Sequence, residues 1–124
     1  GLEKLSLKSF KFDSVILTGD LLEYDPWSDF YFLDDKTLLI GSSDYSGNSK
    51  IIKYSLADKK LLEEAEIANA SAMKMDLSSK LYIFITDSAK PGVSVLDSKD
   101  LKGQASFYET NLLPRSGVFV YSEK

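Results

Sequence analysis

The sequence predicts an all-β fold of antiparallel four-stranded sheets, of the type found as blades in a partial β-propeller. Three observations predict it: closely spaced turn signals, short runs of β-favouring residues between them, and an internal repeat with a period of about 42 residues. A small β-sandwich or barrel is the alternative arrangement that the same pattern allows.

The turn signals are Thr18-Gly19-Asp20, Tyr24-Asp25-Pro26, Asp34-Asp35-Lys36, Ser46-Gly47-Asn48, Asp58-Lys59-Lys60, Ser78-Ser79, Lys90-Pro91-Gly92 and Asp97 to Asp100. Gly and Asn tolerate positive φ, Pro presets φ, and Asp and Ser side chains cap their own turns. Between them lie stretches rich in Tyr, Phe, Ile, Leu and Val. Leu81-Tyr82-Ile83-Phe84-Ile85 is apolar on both faces of a strand, which points to a strand covered on both sides.

One segment speaks for a helix. Ser55 to Ala68 has an N-cap candidate in Ser55, and Lys59 and Lys60 lie four residues before Glu63 and Glu64. The repeat decides against it. Phe32 to Ile40 superposes on Met75 to Ile83, Asp44 falls on Asp87, and Ile51 to Tyr54 falls within one residue of Val93 to Leu96. In that register Ser55 to Ala68 corresponds to Asp97 to Thr110, where the interior Gly103 would cost a helix about 1 kcal/mol relative to Ala. The segment is therefore read as a turn at Asp58-Lys59-Lys60 followed by an outer strand.

Each repeat then carries four strands. The first, over residues 27–68, has them at 29–33, 37–43, 50–55 and 61–67; the second, over 69–110, at 72–77, 80–86, 93–97 and 104–109. Residues 1–26 supply flanking strands at Leu5 to Phe12 and Val15 to Leu22. Residues 111–124 start a further strand at Val118 to Tyr121. The whole of 1–124 is read as a single all-β domain or a fragment of a longer one.

The hairpin Phe32-Leu33-Asp34-Asp35-Lys36-Thr37-Leu38-Leu39-Ile40-Gly41 and the strand and turn Ile51 to Lys60 resemble blade sequences of the TolB-like and NHL-like six-bladed β-propellers. The resemblance covers roughly residues 27 to 109 and carries no catalytic motif onto this chain. It implies a bacterial periplasmic or cell-envelope location. A closed ring needs at least about four blades. Missing blades or a homo-oligomer would have to complete it.

Composition narrows the function. The net charge is −4, with 19 acidic against 15 basic residues, and Arg115 is the single arginine. Binding nucleic acid by neutralising phosphates calls for clustered Lys and Arg, so no nucleic-acid partner is expected. With no Cys and no His, disulfides, thiolate nucleophiles, Cys/His zinc sites and a Ser-His-Asp triad are all out of reach. The longest apolar run, Leu81 to Ile85, is far short of the ~20 residues a membrane-spanning helix needs.

No catalytic, cofactor-binding or metal-ligating residue is assigned, and no cofactor is expected. The candidates for contact with a ligand or partner are Trp27, Asp44, Tyr45 and Asn48. Asp44-Tyr45-Ser46-Gly47-Asn48 offers oxygen atoms at alternate positions but lacks the glycine and glutamate spacing of a calcium loop, so a hairpin turn is the plainer reading. Trp27 could stack on a sugar or anchor a partner, or pack at a blade junction. Asp34-Asp35 and Asp25 with Asp29 are carboxylate pairs of the sort that can share acid–base work, although aspartates at turns are normally solvated. The expected function is a non-enzymatic binding or scaffold module with a protein or small ligand. The alternative is part of a propeller enzyme, a hydrolase or lyase, whose active residues are acidic or lie elsewhere.

Overall fold

The computed structural model describes residues 2–6, 11–17, 23–114, Gly117 and Val120. Ten strands follow one another: β1 (Leu2–Ser6), β2 (Lys11–Leu17), β3 (Asp25–Phe32), β4 (Thr37–Ser43), β5 (Ser49–Ser55), β6 (Lys60–Glu66), β7 (Ala70–Met75), β8 (Lys80–Ile85), β9 (Gly92–Asp97) and β10 (Ser106–Glu109). All pair antiparallel, and no helix occurs among the described residues. β3-β4-β5-β6 form one four-stranded sheet, β7-β8-β9-β10 a second, and β1-β2 a two-stranded sheet.

The repeat read in the sequence is present in the hydrogen-bond register. Phe32 lies opposite Leu38 as Met75 lies opposite Leu81. Leu38 lies opposite Tyr54 as Leu81 lies opposite Leu96, and Ile51 opposite Ala65 as Val93 opposite Tyr108. The connecting bonds repeat too: Leu33 N donates to Thr37 O as Asp76 N donates to Lys80 O, each at 2.9 Å.

Ser55 to Ala68 is turn and strand. Ser55 Oγ accepts from the Asp58 amide at 3.1 Å, as an N-cap would, but Lys59 then takes φ 53° and the chain reverses into β6. A left-handed residue ends any helix there. Pairing with β5 overrides the local helical preference.

Three boundaries are corrected. The first strand of the first repeat starts at Asp25 and not at 29, because Asp25 and Pro26, read as part of a turn, pair with Ser43 and Ser42 of β4. The first flanking strand is not Leu5 to Phe12: β1 ends at Ser6, which pairs with Lys11, so Lys11 and Phe12 belong to β2. Asp13 and Ser14, left between the two expected flanking strands, lie within β2, and Asp13 sits at an irregularity of the ladder. The end of the second flanking strand, 18–22, lies outside the described residues. So does the strand expected at 118–121, except for Val120, which is in no strand. Smaller shifts have local causes. β7 starts at Ala70 because Asn69 turns the chain at φ 59°, and stops at Met75 because the Asp76 carboxylate accepts from the Ser78 and Lys80 amides.

Alternation along a strand gives each sheet two faces. Leu38, Ile40, Ile52 and Tyr54 share one face of the first sheet, here the A face; Leu39 and Ile51 lie on its B face. The equivalent A-face positions in the second sheet are Leu81, Ile83 and Leu96. These pack with Met73 against Leu39, Ile51 and Trp27. The seam therefore joins the B face of the first sheet to the A face of the second. Equivalent faces do not meet. Each large side chain so buried contributes about 1.5–3 kcal/mol.

Trp27 occupies the B face by lying over Gly41, where a Cβ would fall 2.0 Å from the indole. The ring is 6% exposed and its Nε1 donates to Ser43 Oγ at 3.1 Å. At the other end of the seam Leu101, 2% exposed, inserts from the β9–β10 link. Glu63 on β6 holds that link by accepting from the Lys102 amide at 3.1 Å. It also pairs with Lys53 at 3.0 Å, whose ammonium donates to Lys99 O at 3.1 Å.

Gly41→Ala should destabilise the protein by about 2–3 kcal/mol, because the new methyl overlaps an indole held between sheets. Adding Trp27→Leu should recover part of the loss, as read by urea denaturation. The Glu63 carboxyl feels burial, which raises its pKa. The Lys53 ammonium and the Lys102 and Leu101 amides outweigh that and hold it below the ordinary value. Its stabilisation is thus complete above the unfolded pKa of about 4.3 and fades as pH falls through the lower folded value. Glu63→Gln should melt at lower temperature than the native chain at pH 7, with the gap closing below about pH 4.

Candidate functional site

Three of the four candidate residues lie on the β4–β5 turn. The sequence forces a tight reversal there: Tyr45 takes φ 57° and Gly47 φ 109°, so two residues sit in the left-handed region. The Asp44 carboxylate organises the turn. Oδ1 accepts from the Ser46 amide at 2.8 Å and the Asn48 amide at 3.1 Å, and Oδ2 accepts from Asn48 Nδ2 at 2.6 Å. The Asn48 side chain and the Ser46 amide hold the Asp44 carboxyl below its ordinary pKa. Asp44 and Asn48 are thus spent largely on one another, while the Tyr45 side chain is 71% exposed.

The turn is tied to the link between the two sheets. The Asn69 amide donates to Gly47 O at 2.9 Å, and Asn69 O accepts from the Thr86 amide at 2.8 Å and Thr86 Oγ1 at 3.1 Å. Ser49 Oγ donates to Ile67 O and accepts from the Ala70 amide at 3.0 Å. Two open depressions flank this knot. One, of about 430 Å³, lies between Tyr24, Asn48 and Glu66; the other, of about 350 Å³, between Tyr45, Asn69, Ser71 and Thr86. Their linings mix hydroxyl, amide and backbone groups with the apolar side chains of Ile67, Ala68 and Ala70, and Glu66 adds an ionised group to the first.

Trp27 is not part of this rim. Its ring is enclosed in the seam, so the junction-packing reading describes its position and no face is offered to a sugar or partner. Asp34 behaves as a turn residue: its carboxylate accepts from the Lys36 amide at 2.7 Å and from Thr37 Oγ1 at 3.2 Å. Those bonds lower its pKa, the opposite of what a general acid needs. Ser49, Asn69 and Thr86, which complete the rim, were missed in the sequence. Asn69 carried a signal, since Asn between two apolar runs is a common left-handed turn residue. Ser49 and Thr86 carried none, because a hydroxyl at a strand end is usually solvated.

Among the described residues, no three His, Cys, Asp or Glu side chains stand close enough together to hold a metal ion. Nor is any helix there long and apolar enough to cross a membrane. Compared with family models, curated proteins and solved structures, the chain matches none.

Asp44→Ala should speed hydrogen exchange at the Ser46 and Asn48 amides at pH 7. The sign follows from the lowered pKa: the capping bonds are present above the ordinary carboxyl pKa of about 3.9 and are lost as pH falls through the folded value. Native and variant chains should therefore exchange alike at pH well below that value. A difference that persists there would show that the carboxylate does not hold the turn.

Proposed function

We propose that this chain is a non-enzymatic binding or scaffold module made of consecutive β-propeller blades, with 27–68 and 69–110 as two of them. The observation that carries the reading is the seam, where the B face of one repeat meets the A face of the next. In a two-fold β-sandwich equivalent faces would meet, and Leu38 and Ile40 would point at Leu81 and Ile83. A contact between unlike faces repeats from unit to unit and closes only when enough units form a ring. The TolB-like and NHL-like pattern of the strands agrees with this, and by that resemblance the protein belongs to the bacterial cell envelope.

In such a module the turns at one end of the sheets form the contact surface. Here that surface is the rim of Tyr45, Asn48, Asn69 and Thr86, with the Tyr45 ring as its exposed aromatic anchor.

Light scattering over a range of concentrations tests the architecture. The blade reading expects either association that grows with concentration or a monomer that binds an apolar dye strongly. A monomer that stays silent to the dye at every concentration would overturn it and favour a closed sandwich or barrel. Added Ca²⁺ should leave the melting temperature unchanged. A rise reversed by chelator would move the protein to the metal-dependent hydrolases or lyases.

A further inference from the structure

We infer that the depression between Tyr45, Asn69, Ser71 and Thr86 is a binding site for one ring of a neutral sugar, stacked on Tyr45. The inference deepens the reading of the rim as a contact surface and rests on it.

Charge narrows the ligand first. No Lys, Arg, Asp or Glu lines this depression, whereas Glu66 enters the neighbouring one. The nearest charge along the chain is the Asp44 carboxylate, whose oxygens accept from the Ser46 and Asn48 amides and from Asn48 Nδ2. A phosphate or carboxylate would leave water with no cation to meet it and an anion in the same turn. A cationic ligand would find the carboxylate oxygens already engaged. Desolvating either ion without a partner is costly, and an uncharged ligand escapes that cost.

Hydrogen bonding narrows it further. Among the described residues, the Ser71 hydroxyl and the Asn69 side-chain amide have no hydrogen-bond partner. Gly47 leaves room for that amide, since a Cβ there would stand 3.1 Å from Asn69 Oδ1. The main chain around the depression is by contrast spent. Asn48 O accepts from the Asp44 amide at 3.1 Å, Gly47 O from the Asn69 amide at 2.9 Å, and Asn69 O from the Thr86 amide at 2.8 Å. A peptide that docks through its backbone needs open main-chain groups, as at a sheet edge. Sugar hydroxyls, each both donor and acceptor, instead match a free amide and a free hydroxyl.

Shape supplies the third constraint. The Tyr45 side chain is 71% exposed on a turn that its own left-handed φ of 57° helps to build. The face of its ring is electron-rich and meets the weakly positive C–H bonds on the flat side of a pyranose. The depression measures about 350 Å³. That lies at the small end of the ~300–1,000 Å³ usual for ligand sites and suits a single sugar ring. The ring edge would then reach Asn69 and Ser71 while its face lies on Tyr45.

Cellotriose, maltotriose and lactose are the probes, titrated into the whole chain and followed by amide NMR. With at least one of them, shifts should centre on Tyr45, Ser71, Thr86 and the Asn69 side-chain amide and saturate with a Kd of about 1 mM. Tyr45→Ala should weaken binding by about tenfold, and Tyr45→Phe should restore it to within about threefold. Asn69→Gly keeps the left-handed turn and removes the amide, so it should cost about threefold or more. Unchanged Trp27 emission in each variant checks that the seam is intact. The absence of rim shifts with all three sugars would overturn the inference. So would trigalacturonate or adenosine binding as tightly as the sugars, or binding indifferent to Tyr45→Ala. None of these results alters light scattering or dye binding, so the sugar site can fail while the module reading stands.

Discussion

The packing of Leu39, Ile51 and Trp27 from one sheet against Met73, Leu81 and Ile83 from the next is the contact on which the rest of the structure depends. A four-stranded meander has two apolar faces here and cannot bury either alone. Docking the B face of one sheet on the A face of its neighbour removes one of each from water. Gly41 makes the contact possible by leaving room for an indole directly over the strand, and Ser43 satisfies the indole N–H that this burial would otherwise orphan. Ser49 and Asn69 then hold the short link between the sheets, so the step from one repeat to the next is set by hydrogen bonds as well as by apolar contact.

Electrostatics follow the same plan. Asp34, Asp44 and Asp76 each accept amide hydrogens at a turn, and all three are held below their ordinary pKa by those bonds. Glu63 does this across the seam, so its charge joins the edge strand of one sheet to the β9–β10 link of the other. Lys50 gathers Glu23 at 2.6 Å and Glu64 at 3.6 Å beside the Tyr24 ring, and its pKa is raised mainly by the Glu23 bond. Much of the acidic surplus thus serves turn capping and edge protection rather than a cluster of free carboxylates. β6, with Glu63, Glu64 and Glu66, is an edge strand whose charge discourages unwanted pairing.

The rim around Tyr45 inherits its rigidity from the seam. The turn residues that form it are bonded to Asn69, which also sets the start of β7. The main chain of this turn is thereby fixed, while the Tyr45 side chain stays 71% exposed.

All-β character, the eight strands between 25 and 109 and the strand identity of 60–66 were legible in the sequence. Period-two patterning and turn residues are local signals, and the repeat let one segment correct another. The Asp44 turn was legible for the same reason. The position of Trp27 was left open, because burial depends on Gly41, which is distant in sequence and adjacent only across a strand pair. The start of β2 was misread, since the sequence from Leu5 to Phe12 carries no turn signal and only the pairing of Ser6 with Lys11 separates β1 from β2. What the sequence by itself determined was the strands, the turns and the repeat, all of which arise from residues near one another along the chain. Only the tertiary structure decided which face meets which, and where Ser49, Asn69 and Thr86 converge, because those contacts join residues that the chain keeps far apart.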